Sequence, residues 1–181
     1  MTDTLDRTTT APADAGAKKT RRQNAEKGFV ASKELTDSMQ AVLVDLIELH
    51  LQGKQAHWNI VGRNFRDLHL QLDEIIDAAR EFSDEVAERL RALHAVPDGR
   101  SDTVSATTSL PEFPHGEIDT TDAVDLVVQR LEATVGTMRE VHDTIDDADP
   151  TSADILHGII EKLEQYAWMV GAENRVAKRS N

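Results

Sequence analysis

An all-α fold, four long helices in one bundle, is what this sequence predicts, on three observations. Apolar residues recur at steps of three and four through four separate stretches. Only nine Gly, five Pro and 4% aromatic residues occur in 181, which disfavours sandwiches and barrels. One long Ser/Thr- and Pro-rich connection divides the four stretches into two pairs. The length suits a single domain, since cores of this size bury roughly 70% of the unfolded chain's surface.

The first helix carries Leu35, Met39, Val42, Leu46, Leu49, Gly53, Ala56 and Ile60 on one stripe of about 25 residues. Asn59-Ile60-Val61-Gly62 ends it, with Gly62 suited to the position just past a helix. Asn64 is placed to cap the second helix, whose stripe is Phe65, Leu68, Leu72, Ile75, Ala79, Phe82, Val86, Leu90 and Leu93. Pro97-Asp98-Gly99 is its expected stop. Pro97, Pro111 and Pro114 bracket and interrupt residues 98–118, a connection long enough to cross the bundle with a short helix of its own. Asp119-Thr120-Thr121-Asp122 opens the third helix through Val124, Leu126 or Val127, Leu131, Val135, Met138, Val141 and Ile145. After Asp149-Pro150-Thr151 the fourth runs from Ser152 to about Ala177 through Ile155, Ile159, Leu163, Tyr166 and Val170. A single long crossover between helices two and three is the ferritin-like arrangement. The expected organisation is a flexible basic arm over 1–33, the bundle over 34–175 and a short basic tail over 176–181.

Charge separates these parts. Against 20 Lys+Arg stand 33 Asp+Glu, a net of −13. Residues 1–33 carry +3, residues 171–181 carry +2, and the span between them carries −18. Such a body does not bind nucleic acid over its whole surface. The arm does present Lys18, Lys19, Arg21, Arg22 and Lys27 with almost nothing apolar to bury. It reads either as a non-specific grip on DNA phosphates or as a solubilising tail. No aromatic interleaves the basic cluster, so base stacking is not indicated. With no Cys, the chain has no disulfides, thiolate metal sites or cysteine nucleophile, which fits a reducing cytoplasm. No apolar run approaches the ~20 residues that span a bilayer, and the N-terminus lacks a secretory core. A soluble cytoplasmic protein with no membrane partner is expected.

The candidate metal ligands concentrate between His57 and Glu88. His57 lies near the end of the first helix. His69 and Asp73 share a face of the second at i,i+4, about 6 Å apart, and Asp84 and Glu88 repeat that spacing. Asp73 and Asp84 are three turns apart on the same face, so the two pairs lie roughly 16 Å apart along the axis and cannot share one ion. A two-fold axis near Ala78–Ala79 would run a partner helix antiparallel. It would set Asp84 and Glu88 of one chain opposite His69 and Asp73 of the other, giving two equivalent mixed sites. Imidazole and carboxylate with open positions suit Fe(II), and also accept Zn(II) or Mn(II). Taken singly, such acids are an ordinary solvated face and a His beside Trp58 is an ordinary packed histidine. It is the joint pattern that sets them apart.

His57-Trp58-Asn59-Ile60-Val61-Gly62, then Leu68-His69, then Asp73 resembles the first signature of the Dps family, the twelve-subunit mini-ferritins. Asp84-Glu85-Val86-Ala87-Glu88-Arg89, followed by Leu93 and Pro97, is similar to the second. Ser83, where an apolar residue is common, and His94, where Gly, Asp or Asn is usual, depart from the pattern without removing a ligand. The resemblance covers about residues 35–175. It implies a homo-dodecamer of tetrahedral symmetry with ferroxidase centres between subunits. His57, His69 and Asp73 would come from one chain, and Asp84 and Glu88 from its two-fold mate. It also implies oxidation of Fe(II) by hydrogen peroxide, storage of the Fe(III) mineral inside the cage, and protection of DNA from radicals. Trp58 would scavenge a stray oxidising equivalent or pack as a core aromatic. In this family the turn between the last two helices lines three-fold pores, which points to Asp154 first, then Asp149 and Asp146; ordinary helix-end acids are the plain alternative.

Other readings meet less support. The one Glu-x-x-His, Glu112 to His115, lies in the proline-flanked connection rather than on a bundle helix, unlike true ferritins. A metal-assisted amide or ester hydrolase could use the same open site. A mainly architectural DNA-compacting protein would need the arm but no ligands. His50 is expected to pack. His94, His115, His142 and His157 have no ligand partner at convincing spacing beyond a weak Asp154/His157 pair.

Overall fold

The computed structural model describes residues 28–178. Ser32 opens α1 (Lys33–Asn59), its hydroxyl accepting from the Leu35 amide at 3.1 Å. α2 (Phe65–Ala92) returns alongside α1. α3 (Ser101–Thr107) lies within the crossover, and α4 (Thr120–Ala148) starts at Asp119, whose carboxylate accepts from the Thr121 amide. α5 (Pro150–Gly171) begins on Pro150, which fits a first helical turn because its missing N–H is not needed there. In the bundle α1 packs on α2 and α4, and α5 packs on α4 and α2. The expected stripes fill the core: Leu35, Met39, Leu46, Leu72, Leu90, Leu131, Met138 and Leu163 are fully buried. Phe65 departs from its stripe and is 44% exposed. The short helix in the crossover and the bundle layout match the ferritin-like expectation.

How the crossover spans the bundle was not visible in the spacing. The Ala31 amide donates to the Leu93 carbonyl, so α2 ends beside the start of α1. The end of α1 meets the start of α4 through a parallel pair of two-residue strands, β1 (Ile60–Val61) and β2 (Ile118–Asp119), with Ile60 opposite Ile118. Between these ends the crossover climbs α1. Gln40 exchanges two hydrogen bonds with the Asp98 backbone. Buried Asp45 accepts from Thr108 Oγ1, the Ser109 amide, Ser109 Oγ and Thr137 Oγ1 at 2.6–2.8 Å. Gln52 donates to the Pro111 carbonyl, and buried Arg130 donates to Gln52 and to the Glu112 carbonyl, with its guanidinium over Phe113. A loop this long would otherwise leave its backbone unpaired, so these side chains take the place of a ladder.

Four local expectations need correction. Gly62 does not follow α1 directly; it sits after β1 at φ +124, where a Cβ would meet Thr120 Oγ1 at 2.9 Å. Asn64 precedes α2 but is left-handed (φ 57) and makes no cap, its amide going to Glu173 instead. α2 stops before Pro97: the Ala95 amide donates to the Leu90 carbonyl and the His94 amide to that of Arg91, with His94 left-handed at φ 64. That is a Schellman ending, which explains why Gly, Asp or Asn would suit position 94 better than His. α5 ends at Gly171, six residues short of Ala177, where a 3-10 turn (Ala172–Asn174) lets Asn174 bind the Thr121 carbonyl and Asp125.

Removing Asp45 leaves the Ser109 amide and three hydroxyls without their acceptor. Asp45→Ala is therefore expected to cost about 2–4 kcal/mol in chemical denaturation, while an exposed control such as Glu85→Ala changes little.

Candidate metal centre

The centre is built where α1 ends and α2 begins. The last four carbonyls of a helix have no partner within it. One of these, the His57 carbonyl, accepts from His69 Nδ1 at 3.1 Å. Because a carbonyl only accepts, this bond places the proton on Nδ1 and leaves His69 Nε2 as a free lone pair. The His57 and His69 rings stack with centroids 3.6 Å apart and planes inclined by 26°. His57 Nε2 comes within 3.0 Å of Asp73 Oδ1 without hydrogen-bond alignment. Both ring nitrogens of His57 are buried and unpartnered, and among the described residues they are the buried side-chain polar atoms left so. An unpaired buried imidazole is costly unless something else is to bind it.

Asp73 completes the cluster: donor atoms of His57, His69 and Asp73 all lie within 4.8 Å of one another. Lys54 Nζ donates to Asp73 Oδ1 at 2.9 Å. That ammonium, helped by His57, holds the Asp73 carboxyl below the ordinary carboxylate range against the opposing pull of desolvation. Lys54 lies three residues before His57 and so shares its face, a relation that ligand spacing alone does not mark. Two imidazoles and one carboxylate with further positions open form a donor set suited to Fe(II).

Asp84 and Glu88 are exposed on the same uninterrupted α2, so within one chain they stay about 16 Å along the axis from Asp73. Trp58 is 69% exposed and is no part of this chain's core. At the α4–α5 turn Asp146 and Asp154 are exposed, but Asp149 is committed inward, accepting from Arg89 Nη2 at 2.6 Å and from Ser152 Oγ. Burial pushes its carboxyl up; Ser152 and Arg89 outweigh that, and the net shift is down. His50 is half-buried outside the cluster, and burial lowers its pKa. Glu112 and His115 are exposed in the crossover. Lys18, Lys19, Arg21, Arg22 and Lys27 lie outside the described residues. Among the described residues no helix is long and apolar enough to cross a membrane.

The model of the ferritin-like domain matches residues 36–179. DNA protection during starvation protein 2 of Deinococcus radiodurans is 35% identical over 143 residues, 77% of this chain and 58% of that protein. The chain thus spans little more than half of that relative's length. The DNA protection during starvation protein of Agrobacterium fabrum is 33% identical over 72% of this chain and 81% of its own. Among solved structures, Dps from Microbacterium arborescens in its high iron form superposes with a TM-score of 0.74 at 29% identity, covering 81% of this chain and 98% of that one.

The sign of the Asp73 shift makes a prediction. A carboxyl whose folded pKa is depressed contributes stability above its unfolded pKa and loses it as pH falls through the folded value. Lys54→Met removes the main cause of the depression. In thermal melts of the metal-free protein, the parent should be more stable than the variant at neutral pH, and the gap should close as pH falls through the range where Asp73 takes up its proton.

Proposed function

Because the chain belongs to the Dps family of ferritin-like proteins, we propose that it oxidises Fe(II) with hydrogen peroxide at a centre shared between two subunits. The ferric product is kept as a mineral inside a dodecameric cage of tetrahedral symmetry. The observation that carries this reading is the His57–His69–Asp73 cluster, with the His57 imidazole nitrogens lacking hydrogen-bond partners and with His69 and Asp73 on the same face of α2 as Asp84 and Glu88. One chain supplies three donors; Asp84 and Glu88 of the partner subunit supply the remaining carboxylates across a two-fold axis. Exposed Leu51, Trp58, Phe65 and Leu70 provide apolar surface near this region for that contact.

Iron is substrate here. Each of two Fe(II) gives one electron to one peroxide, whose O–O bond breaks to form two waters with two added protons. Consuming the peroxide in this two-electron step avoids the one-electron cleavage that releases hydroxyl radical. His69, fixed in its tautomer by the His57 carbonyl, binds without rearrangement. Asp73, held ionised beside Lys54, accepts the cation in exchange for the ammonium. Asp146 and Asp154 offer exposed carboxylates at the α4–α5 turn for drawing cations toward the shell. Trp58, next to a ligand and exposed in the single chain, is placed to quench a stray oxidising equivalent. The basic cluster of residues 1–33 supplies a non-specific grip on DNA, in keeping with relatives named for DNA protection.

Metal-free protein loaded anaerobically with Fe(II) and then given peroxide tests the central claim. Asp73→Ala or His69→Ala should slow ferric formation roughly tenfold or more, since even indirect changes at a metal site cost that much. Asp84→Ala should do the same. Cages mixed from Asp73→Ala and Asp84→Ala chains should regain part of the rate; no recovery would remove the shared centre. Deleting residues 1–33 should abolish salt-sensitive DNA retardation while iron oxidation persists.

A further inference from the structure

His142 on α4 and His157 on α5 stand at matching distances before and after the Asp149–Pro150 turn. The hairpin therefore brings them face to face: Nε2 of one lies 2.7 Å from Nε2 of the other, with ring centroids 4.9 Å apart. Each imidazole is backed by a carboxylate. His142 Nδ1 is 3.0 Å from Asp143 Oδ1, and His157 Nδ1 is 3.6 Å from Asp154 Oδ1. Asp143, as a carboxylate, only accepts, so it draws the His142 proton to Nδ1 and leaves Nε2 with a free lone pair. His157 then supplies the one proton that the two Nε2 atoms share.

From this geometry we propose that His142 and His157 form a second metal site, separate from the His57–His69–Asp73 cluster, for a divalent transition ion that favours imidazole. Binding needs a change of tautomer and small side-chain shifts. The His157 proton passes from Nε2 to Nδ1, where Asp154 receives it as a hydrogen bond, and two lone pairs then converge on one point. No net proton is lost. Carboxylate behind imidazole is the arrangement that orients histidine ligands and raises their basicity. Two metal–nitrogen bonds in tetrahedral geometry require the nitrogens to stand roughly 3.3 Å apart. The rings must therefore part slightly, which half-exposed side chains allow: His142 is 28% and His157 56% exposed. The pair opens on a cleft of about 580 Å³ that Glu161, one turn beyond His157, also lines, giving a further oxygen donor within that cleft. Arg139, the cation on its wall, is already paired with Glu164.

The test uses the full-length assembly carrying His69→Ala and Asp73→Ala, so its outcome does not depend on whether that cluster oxidises iron. Metal-free protein is titrated with Co(II), followed by visible d–d absorption and calorimetry, and its melting temperature is read with and without Zn(II). The expected result is one Co(II) bound per chain, displaced by Zn(II). Zn(II) at a hundredfold excess over its dissociation constant should raise the melting temperature by about 5–10 °C, because the ion joins α4 to α5. Adding His142→Gln or His157→Gln should remove both the absorption and the stabilisation, while the melting temperature in chelator stays near that of the parent. Co(II) absorption and Zn(II) stabilisation that survive both substitutions would overturn the site, as would their absence from the parent. A Glu161→Gln variant that weakens Co(II) binding without abolishing it would mark the third donor.

Discussion

The turn at residues 60–64 is the constraint on which the rest depends. It must reverse the chain within a few residues and hold the last turn of α1 against the first turns of α2. Gly62 takes a φ of +124 with Thr120 packed where its side chain would be, and Asn64 is left-handed. Thr120 Oγ1 donates to the Arg63 carbonyl at 2.6 Å, and β1 pairs with β2. The turn is thereby tied to the start of α4. Any slip there would carry His57 away from His69, and the hydrogen bond that completes the end of α1 would be lost together with the tautomer of a proposed ligand. Helix termination and the proposed metal site are served by one contact.

The crossover is the second consequence of that geometry. With α2 ending beside Ala31 and α4 starting beside Ile60, the chain has to travel the length of α1 between them. It does so over polar side chains that rise from the helix in order: Gln40, Asp45, Gln52. Asp45 and Arg130 are charged yet nearly fully buried, at 1% and 3% exposure. Periodicity reasoning takes mid-helix polar residues for solvent-facing ones, so it found the stripes of α1 and α4 but not the groove between them. The apolar pattern records which face is dry. It carries no mark for a polar residue whose water is replaced by a loop that arrives nearly sixty residues later.

The centre shows the same division. His57, His69 and Asp73 were legible because helical spacing and a short connection suffice to bring them together. Lys54 was legible in principle, one turn from His57, but a lysine near an acid draws no notice until its distance is known. Phe65 fitted the apolar period of α2 and yet is exposed, with its ring centroid 5.1 Å from that of His69. Trp58 is likewise exposed against the core option. Both departures fall beside the proposed metal ligands. An apolar residue that keeps its helical period but turns to solvent next to a half-complete ligand set fits a surface completed by another subunit.

His142 and His157 mark the limit of reading along one helix at a time. Ligand searches by i,i+4 spacing see only pairs that share a helix, and these two share none. Their relation lies in the turn: antiparallel neighbours register about its centre, so residues equally far on either side meet. Asp143 and Asp154 stand behind the two rings for a local reason, each within three residues of its histidine on the same helix. Asp149 is excluded from that cluster because Arg89, reaching across from α2, and Ser152 satisfy its carboxylate. Acids at one turn thus divide by what faces them. The one opposite the half-buried Arg89 guanidinium anchors the hairpin to the rest of the bundle, and those left toward solvent remain available to a cation.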